Sequence, residues 1–360
     1  AKKFPDLKRI IIKTADAGAG APFGTQAWAE VAQNGDDGLN GELQRRAAAV
    51  RRADPAFIMY TSGTTGFPKG VVRGHGFLRN QTDRVRILGT TARDVVYNYL
   101  PLFHIFGYLD GPMLSMATGN RQILTETFDP EACLDAIEAE GVTQISGFET
   151  HVKALIEAQE RRPRDLSSLR TGTFGVGTAS AVPVYRKALE VLAPLWPIAA
   201  YGMTEIGGNA CLSFLDSTAE QACETSGHPC DGFEFRVIDP ETGEDQPLEV
   251  PGEIIIKSYN LMLGYYDKPE ETAQCYDADG WFHSGDMGYL RADGFLRFLG
   301  RYKDMLKIGG ENVDPLEVEA YLPGPPGRRR GFGDRSSRRT PDRGRRRLRG
   351  GESGLPSRRG

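Results

Sequence analysis

Cysteine is scarce in this chain, long apolar runs are missing, and lysine disappears altogether near the end. Five cysteines (Cys133, Cys211, Cys223, Cys230 and Cys275) are scattered over 360 residues without a CxxC pair. That excludes a disulfide framework or a zinc site of ordinary spacing, and free thiols in a reducing compartment are expected. The uncharged run 95–109 is broken by Pro101 and Gly107 and is too short to span a bilayer. No secretory leader is recognisable, so the expected location is cytoplasmic, with peripheral attachment to a membrane left open. From Pro323 to Gly360 there are 13 arginines, no lysine and three acidic residues, a net charge of +10. The preceding residues hold 31 basic and 45 acidic side chains, a net of −14. An acidic body of this kind gives no reason to expect a nucleic-acid partner.

What is present is the composition of a globular protein, 39% apolar and 26% charged. The length implies two or three lobes. To about residue 215, strand and helix signals alternate. The apolar run Phe57-Ile58-Met59-Tyr60 ends in a Gly/Thr-rich loop. Asp129-Pro130 reads as an N-cap and first turn, with Leu134 and Ile137 on one helical face and Gly141 as the stop. Residues 142–146 and 169–174, a helix after Pro183 and a strand over 198–201 repeat the rhythm. Repeated βα units imply an α/β fold with a largely parallel sheet, on which ligands gather where strands give way to loops. After residue 230 the pattern changes to alternation (Phe233, Phe235, Val237, then 253–257), with turn signals at Asp279-Gly280 and Asp293-Gly294. An added antiparallel β subdomain is expected there.

Candidate chemistry begins at Tyr60-Thr61-Ser62-Gly63-Thr64-Thr65-Gly66-Phe67-Pro68-Lys69-Gly70. Small hydroxyl and glycine residues let backbone N–H groups approach an anion, and a lysine ends the string; together they suit a phosphate-cradling loop. Pro68 before Lys69 and Gly70 after it set the string apart from a Walker A loop. Read alone, it is also compatible with a flexible surface loop.

The whole string resembles the signature loop of the adenylate-forming superfamily, which contains acyl-CoA and aryl-CoA synthetases, peptide-synthetase adenylation domains and firefly luciferase. Further motifs follow in that superfamily's order, so the resemblance covers about residues 1–322. Pro101-Leu102-Phe103-His104 is similar to the aromatic motif at the acyl-pocket entrance. Gly177-Thr178-Ala179 falls where the family packs a loop against adenine. Tyr201-Gly202-Met203-Thr204-Glu205 resembles the motif in which Tyr stacks on adenine, Thr touches the α-phosphate and Glu holds Mg²⁺. Trp281-Phe282-His283-Ser284-Gly285-Asp286 resembles the segment whose Asp binds the ribose hydroxyls. Gly300-Arg301-Tyr302-Lys303-Asp304-Met305-Leu306-Lys307, with Gly309 and Gly310, resembles the interdomain hinge and the loop that meets the pantetheine arm.

The resemblance implies catalytic roles for His104, Thr204, Glu205 and Lys307. It implies nucleotide or coenzyme contacts for Thr61, Ser62, Gly63, Thr64, Thr65, Gly66, Lys69, Gly177, Thr178, Ala179, Tyr201, Gly202, Met203, Asp286, Arg301, Lys303, Gly309 and Gly310. Thr61 and Glu205 are the implied Mg²⁺ ligands. The residues alone leave plainer readings open: a satisfied core histidine at His104, core packing at Tyr201 and Met203, a turn cap at Asp286, surface charges at Arg301 and Lys307. Glu205, among Gly202, Gly207 and Gly208, has little structural use, which favours a metal role.

Two departures shape the expectations. Only about sixty residues precede the phosphate loop, and the first residue is Ala, so the start of the N-terminal domain is expected to be missing. At the other end, 317–322 begins the family's first C-terminal helix and the pattern then stops. The expected organisation is an AMP-binding domain over 1–299, a hinge and C-terminal start over 300–322, and a disordered tail over 323–360. The tail is expected to be an out-of-frame translation of a GC-rich gene; a basic arm for RNA or acidic lipid is the alternative. The expected activity is ATP-dependent conversion of a carboxylic acid, of fatty type, to an acyl-adenylate and then a coenzyme A thioester. The truncated chain is expected to be impaired. A stand-alone adenylation domain feeding a carrier protein, or an inactive nucleotide-binding remnant, are the alternatives.

Overall fold

The computed structural model describes residues 11–12, 25–33, 37–61, 68–176, 181–302, 306–308 and 311–313. Strand β1 (Pro55–Thr61) and strand β2 (Lys69–Gly74) form an antiparallel hairpin that places Thr61 opposite Lys69. Residues 62–67, the candidate anion cradle, connect these two strands and lie outside the described residues. Helix α1 (Phe77–Leu88) follows. It stops at Gly89, whose left-handed backbone (φ 57°) suits glycine.

The predicted βα repeats are present. They run through β3 (Val95–Asn98), a short helix α2 (Ile105–Tyr108), β4 (Arg121–Leu124), α3 (Pro130–Glu140), β5 (Gln144–Ile145), β6 (Gly147–Phe148) and α4 (Glu149–Arg161). They continue with β7 (Thr171–Gly175), α5 (Val182–Val191), β8 (Trp196–Met203), β9 (Gly208–Leu212) and β10 (His228–Pro229). The strand order is β10-β9-β8-β7-β5-β3-β4, with β6 beside β7. It is parallel from β4 through β8 and antiparallel at β9 and β10.

Helix α3 shows why these residues fold as they do. The Asp129 carboxylate accepts from the N–H groups of Glu131 and Ala132, Pro130 takes a first-turn position, and Gly141 ends the helix at φ 65°. Leu134 and Ile137 are fully buried against Leu155, Phe174 and Tyr185. Each such side chain contributes roughly 1.5–3 kcal/mol by burial. The single strand expected over 142–146 is split into β5 and β6. At the break, the Ser146 hydroxyl accepts the Thr173 N–H and replaces a ladder carbonyl.

The expected antiparallel section comprises β11 (Phe233–Ile238), β12 (Gly252–Ser258), β14 (Phe282–Leu290) and β15 (Leu296–Arg301), in the order β11-β12-β14-β15. Before β14, the strand β13 (Gly264–Tyr265) leaves this sheet and pairs with β2, and helix α6 (Pro269–Ala273) follows it. Gly294, in the β14–β15 hairpin, has φ 84°. A second core of Ile198, Ala210, Ile254, Ile256, Phe282 and Leu296 joins the two sheets. Among the described residues, no helix is long and apolar enough to cross a membrane.

Candidate active site

Strand β8 carries the site because it runs out of the parallel sheet into a glycine-rich turn. A Cβ on Gly202 would collide with the Gly208 carbonyl oxygen, so only glycine lets β8 and β9 approach at the bulge after Tyr201. Gly207 and Gly208 complete the turn with φ of 86° and 94°. Thr204 is buried, and its carbonyl accepts from the Gly207 N–H at 3.2 Å. The turn is clamped from outside: the Glu205 carbonyl takes Arg73 Nη1 at 2.7 Å and the Met262 N–H at 2.7 Å. That leaves the Glu205 carboxylate directed to Tyr265, whose hydroxyl donates to Oε1 at 3.1 Å.

Lys69 completes this cluster. Its ammonium lies 4.7 Å from the Tyr265 ring centroid and 3.0 Å from Glu271 Oε2 on α6. Glu271 also binds Lys268, and the two lysines, Lys268 first, hold its carboxyl below the ordinary range. One aromatic side chain thus bridges the lysine behind the loop and the carboxylate behind β8. The Tyr265 phenol is pushed well up, chiefly by burial and then by the Glu205 charge, and stays a hydrogen-bond donor.

A second cluster lies at Tyr201. Its hydroxyl donates to Asp286 Oδ2 at 2.8 Å, and Arg301 Nε lies 3.1 Å from Asp286 Oδ1, on the residue opposite in the β14–β15 register. Asp286 is buried (2% exposed) and burial raises its carboxyl to about 6, with the Arg301 charge and the Tyr201 hydrogen bond opposing that rise. The Tyr201 ring packs against Phe298 and Phe235. Met203 is half-buried against the second core, consistent with packing.

His104 caps α2: its Nδ1 accepts the Phe106 N–H at 3.2 Å. That bond fixes the neutral tautomer with the proton on Nε2, which is free to donate. Although the residue is exposed, desolvation on its packed side lowers its pKa. The plain alternative of a buried, satisfied core histidine is thereby set aside. Ile105, the next residue, approaches β9: a Cβ on Gly208 would meet its Cγ1 at 3.7 Å.

The structure therefore gathers Lys69 with Glu205 through Tyr265, and Tyr201 with Asp286 and Arg301, and the end of β8 with the turn after it links the two groups. Thr61 ends β1 opposite Lys69. Ser62, Gly63, Thr64, Thr65, Gly66, Gly177, Thr178, Ala179, Lys303, Gly309 and Gly310 lie outside the described residues. Lys307 is on the strand Leu306–Ile308, in backbone register with Asn312, and its side chain is also outside them. Tyr265, Glu271 and Arg73 escaped sequence reading. Only the last left a signal, as a charge directly after the apolar pair Val71-Val72 in β2. Among the described residues no three His, Cys, Asp or Glu side chains cluster as a metal cage; the carboxylates of this cluster are Glu271, paired with Lys69, and Glu205, joined to it through Tyr265.

The profile of the AMP-binding enzyme family matches residues 2–266. The chain belongs to the AMP-binding enzyme family. This AMP-binding enzyme is 35% identical over 320 residues to the 3-[(3aS,4S,7aS)-7a-methyl-1,5-dioxo-octahydro-1H-inden-4-yl]propanoyl:CoA ligase of Mycobacterium tuberculosis, covering 89% of this chain and 59% of that one. It is 34% identical to the medium-chain fatty-acid–CoA ligase of Escherichia coli, covering 74% and 46%. Among solved structures, ATP-bound MatB from Rhodopseudomonas palustris matches with a TM-score of 0.68 at 29% identity, covering 78% and 57%. The Bacillus subtilis O-succinylbenzoate coenzyme A synthetase in complex with AMP matches at 0.66 and 31%, covering 75% and 54%. The chain thus spans less than two thirds of the length of these relatives. The expected α/β fold is the one these structures share.

Proposed function

We propose that this chain carries the adenylating machinery of an AMP-forming acid–coenzyme A ligase. In that reaction a carboxylate oxygen attacks the α-phosphorus of ATP. A P–O bond forms to give the acyl-adenylate, and the bond to the bridging oxygen breaks to release pyrophosphate. The thiol of coenzyme A then forms a C–S bond and AMP leaves. The observation that carries this reading is the Lys69–Tyr265–Glu205 cluster at the turn after β8, with the Tyr201–Asp286 pair where Tyr201 stands on β8 itself. The first group supplies a cation, Lys69, and the Glu205 carboxylate, which carries no lysine or arginine partner among the described residues, and the second a buried carboxylate suited to vicinal hydroxyls.

Lys69, with the N–H groups of the loop 61–66, neutralises the β- and γ-phosphates. A single carboxylate fits Mg²⁺, which takes one or two carboxylates and completes its shell with phosphate oxygens and water. Glu205, assisted by Thr61, would hold it there, and the ion would supply charge neutralisation at the phosphates. Asp286 accepts from the ribose hydroxyls and Tyr201 orders it. The backbone of 177–179 borders the adenine, and Thr204 reaches the α-phosphate. His104 Nε2–H donates to the acid carboxylate and orients it. The hinge at Arg301 and Lys303, the loop at Gly309 and Gly310, and Lys307 belong to the thiol-transfer arrangement, with residues 300–322 as the hinge segment after an AMP-binding domain over 1–299. Medium-chain and ring-bearing propanoic acids are the substrate classes that the relatives' names suggest, with the cytoplasm as the location that fits a coenzyme A ligase.

The test is acid-dependent exchange of labelled pyrophosphate into ATP by the full chain, with a panel of medium-chain and alicyclic acids. Exchange that rises with one of these acids supports the assignment. Exchange indifferent to every acid, or none at all, counts against it.

A further inference from the structure

Beside the candidate site, and separate from it, a cavity of about 280 Å³ opens between β2, the start of α1 and the segment after β12. Its walls include Arg52, Arg73, His75, Gly76, Tyr259 and Asn260, and no acidic side chain among the described residues lines it. Arg73 is 1% exposed, yet no carboxylate among the described residues pairs with it. Its Nη1 and Nη2 go to neutral acceptors, the Glu205 carbonyl and the carbonyl and side-chain oxygens of Asn260. Its Nε has no partner. A buried guanidinium without a counter-charge is costly, and an anion beside it removes that cost. Burial pushes Arg73 down to about 10, against the smaller opposing influences of Tyr276 and the Glu205 charge, neither of which pairs with it directly.

Three further features point the same way. His75 Nε2 is buried and also lacks a partner. Arg52 is exposed at the rim and enters no ion pair or hydrogen bond among the described residues. Helix α1, twelve residues long, has Gly76 at its N-cap and no side-chain cap, so the positive end of its dipole lies at the wall with no charged side chain capping it. Orphaned donors from two side chains, a free cation and an uncapped helix end converge on one concave space.

We propose that this cavity is a second anion site, separate from the nucleotide's, that binds a phosphate-sized tetrahedral oxyanion, free or as the end of a small phosphomonoester. Arg73 Nε and His75 Nε2 donate to its oxygens, Arg52 closes the rim, and the α1 terminus adds its dipole. Since Arg73 Nη1 also holds the Glu205 carbonyl, the bound anion lies one side chain away from the turn that carries Glu205.

The test is calorimetric titration of the full chain with inorganic phosphate and with glycerol phosphate, at constant ionic strength and without nucleotide. Three proteins are compared: wild type, R52A/H75Q, which spares the buried Arg73, and K69A, which disables the other phosphate-binding candidate. The expected result is saturable phosphate binding by wild type and K69A alike, weakened about 10-fold or more in R52A/H75Q, as the loss of two charge-assisted contacts predicts. Glycerol phosphate binding with the same pattern assigns a monoester end; phosphate binding alone assigns the free ion. Absence of binding by wild type, equal binding by R52A/H75Q, or loss in K69A alone would overturn the proposal.

Discussion

Glu205 has its backbone carbonyl fixed by two hydrogen bonds and its carboxylate held, among the described residues, by a tyrosine hydroxyl alone. A carboxylate so positioned exchanges a weak neutral donor for a metal ion without moving the turn. Glu205→Ala is expected to lower acid-dependent exchange by roughly 10²–10³, about 3–4 kcal/mol of transition-state stabilisation. Unchanged magnesium dependence in that variant would contradict the assignment. Asp286 gives a pH signature. Its folded carboxyl titrates at about 6, above the unfolded value of 3.8, so its contribution to stability is fully present below the lower value and lost as pH rises through the upper. Ligand binding runs the other way, because the ionised form is the better acceptor for ribose hydroxyls. Adenosine, which carries no phosphate to titrate, should bind progressively more weakly as pH falls through about 6. Asp286→Asn should bind weakly with a flat profile, and a wild-type profile that is itself flat would remove Asp286 from the ribose site. Both residues were legible in the sequence because they stand inside contiguous motifs. Tyr265 and Glu271 were not, since what joins them to Lys69 is strand β13 crossing from the antiparallel section to β2, a pairing between residues far apart in the chain.

At the scale of elements, local signals proved the most readable. Asp129-Pro130 and Gly141 gave helix α3 both its ends, because capping is chemistry between neighbours. Asp129→Ala should cost about 1 kcal/mol, read as a lower thermal midpoint with nucleotide affinity unchanged. The antiparallel pairing of β1 with β2 was hidden, because the alternation in Lys69–Gly74 is short and its partner strand precedes a glycine-rich stretch. Helix α6 has a competing role that sequence could not show. Glu271 pairs with Lys69, and on the proposed assignment of Lys69 to the ATP phosphates the nucleotide displaces it. Glu271→Gln should therefore tighten ATP severalfold and leave AMP, which lacks the β- and γ-phosphates, unaltered. Weaker ATP binding in that variant would mean that Glu271 positions Lys69 for the nucleotide instead of competing for it.

Across the whole molecule, an acidic body with a parallel sheet, an antiparallel sheet and a separate hairpin converges on one strand end, 201–205. The alternating βα pattern and the change of texture after residue 230 announced the first two layers. Their junction could not be read, since it depends on long-range packing such as Ile198 against Ile254 and Phe282. On the proposed reading Lys69 and Glu205, with Tyr201 and Asp286, form a single nucleotide site. The most direct measurement is paired titration of the full chain and of Lys69→Ala with magnesium–ATP and with AMP. If the site is one, both ligands compete for the wild type, and Lys69→Ala loses about 10-fold or more in ATP affinity, the scale of a charge-assisted phosphate contact, while AMP binds as before. Simultaneous binding of AMP and ATP, or equal loss of both ligands in Lys69→Ala, would contradict it.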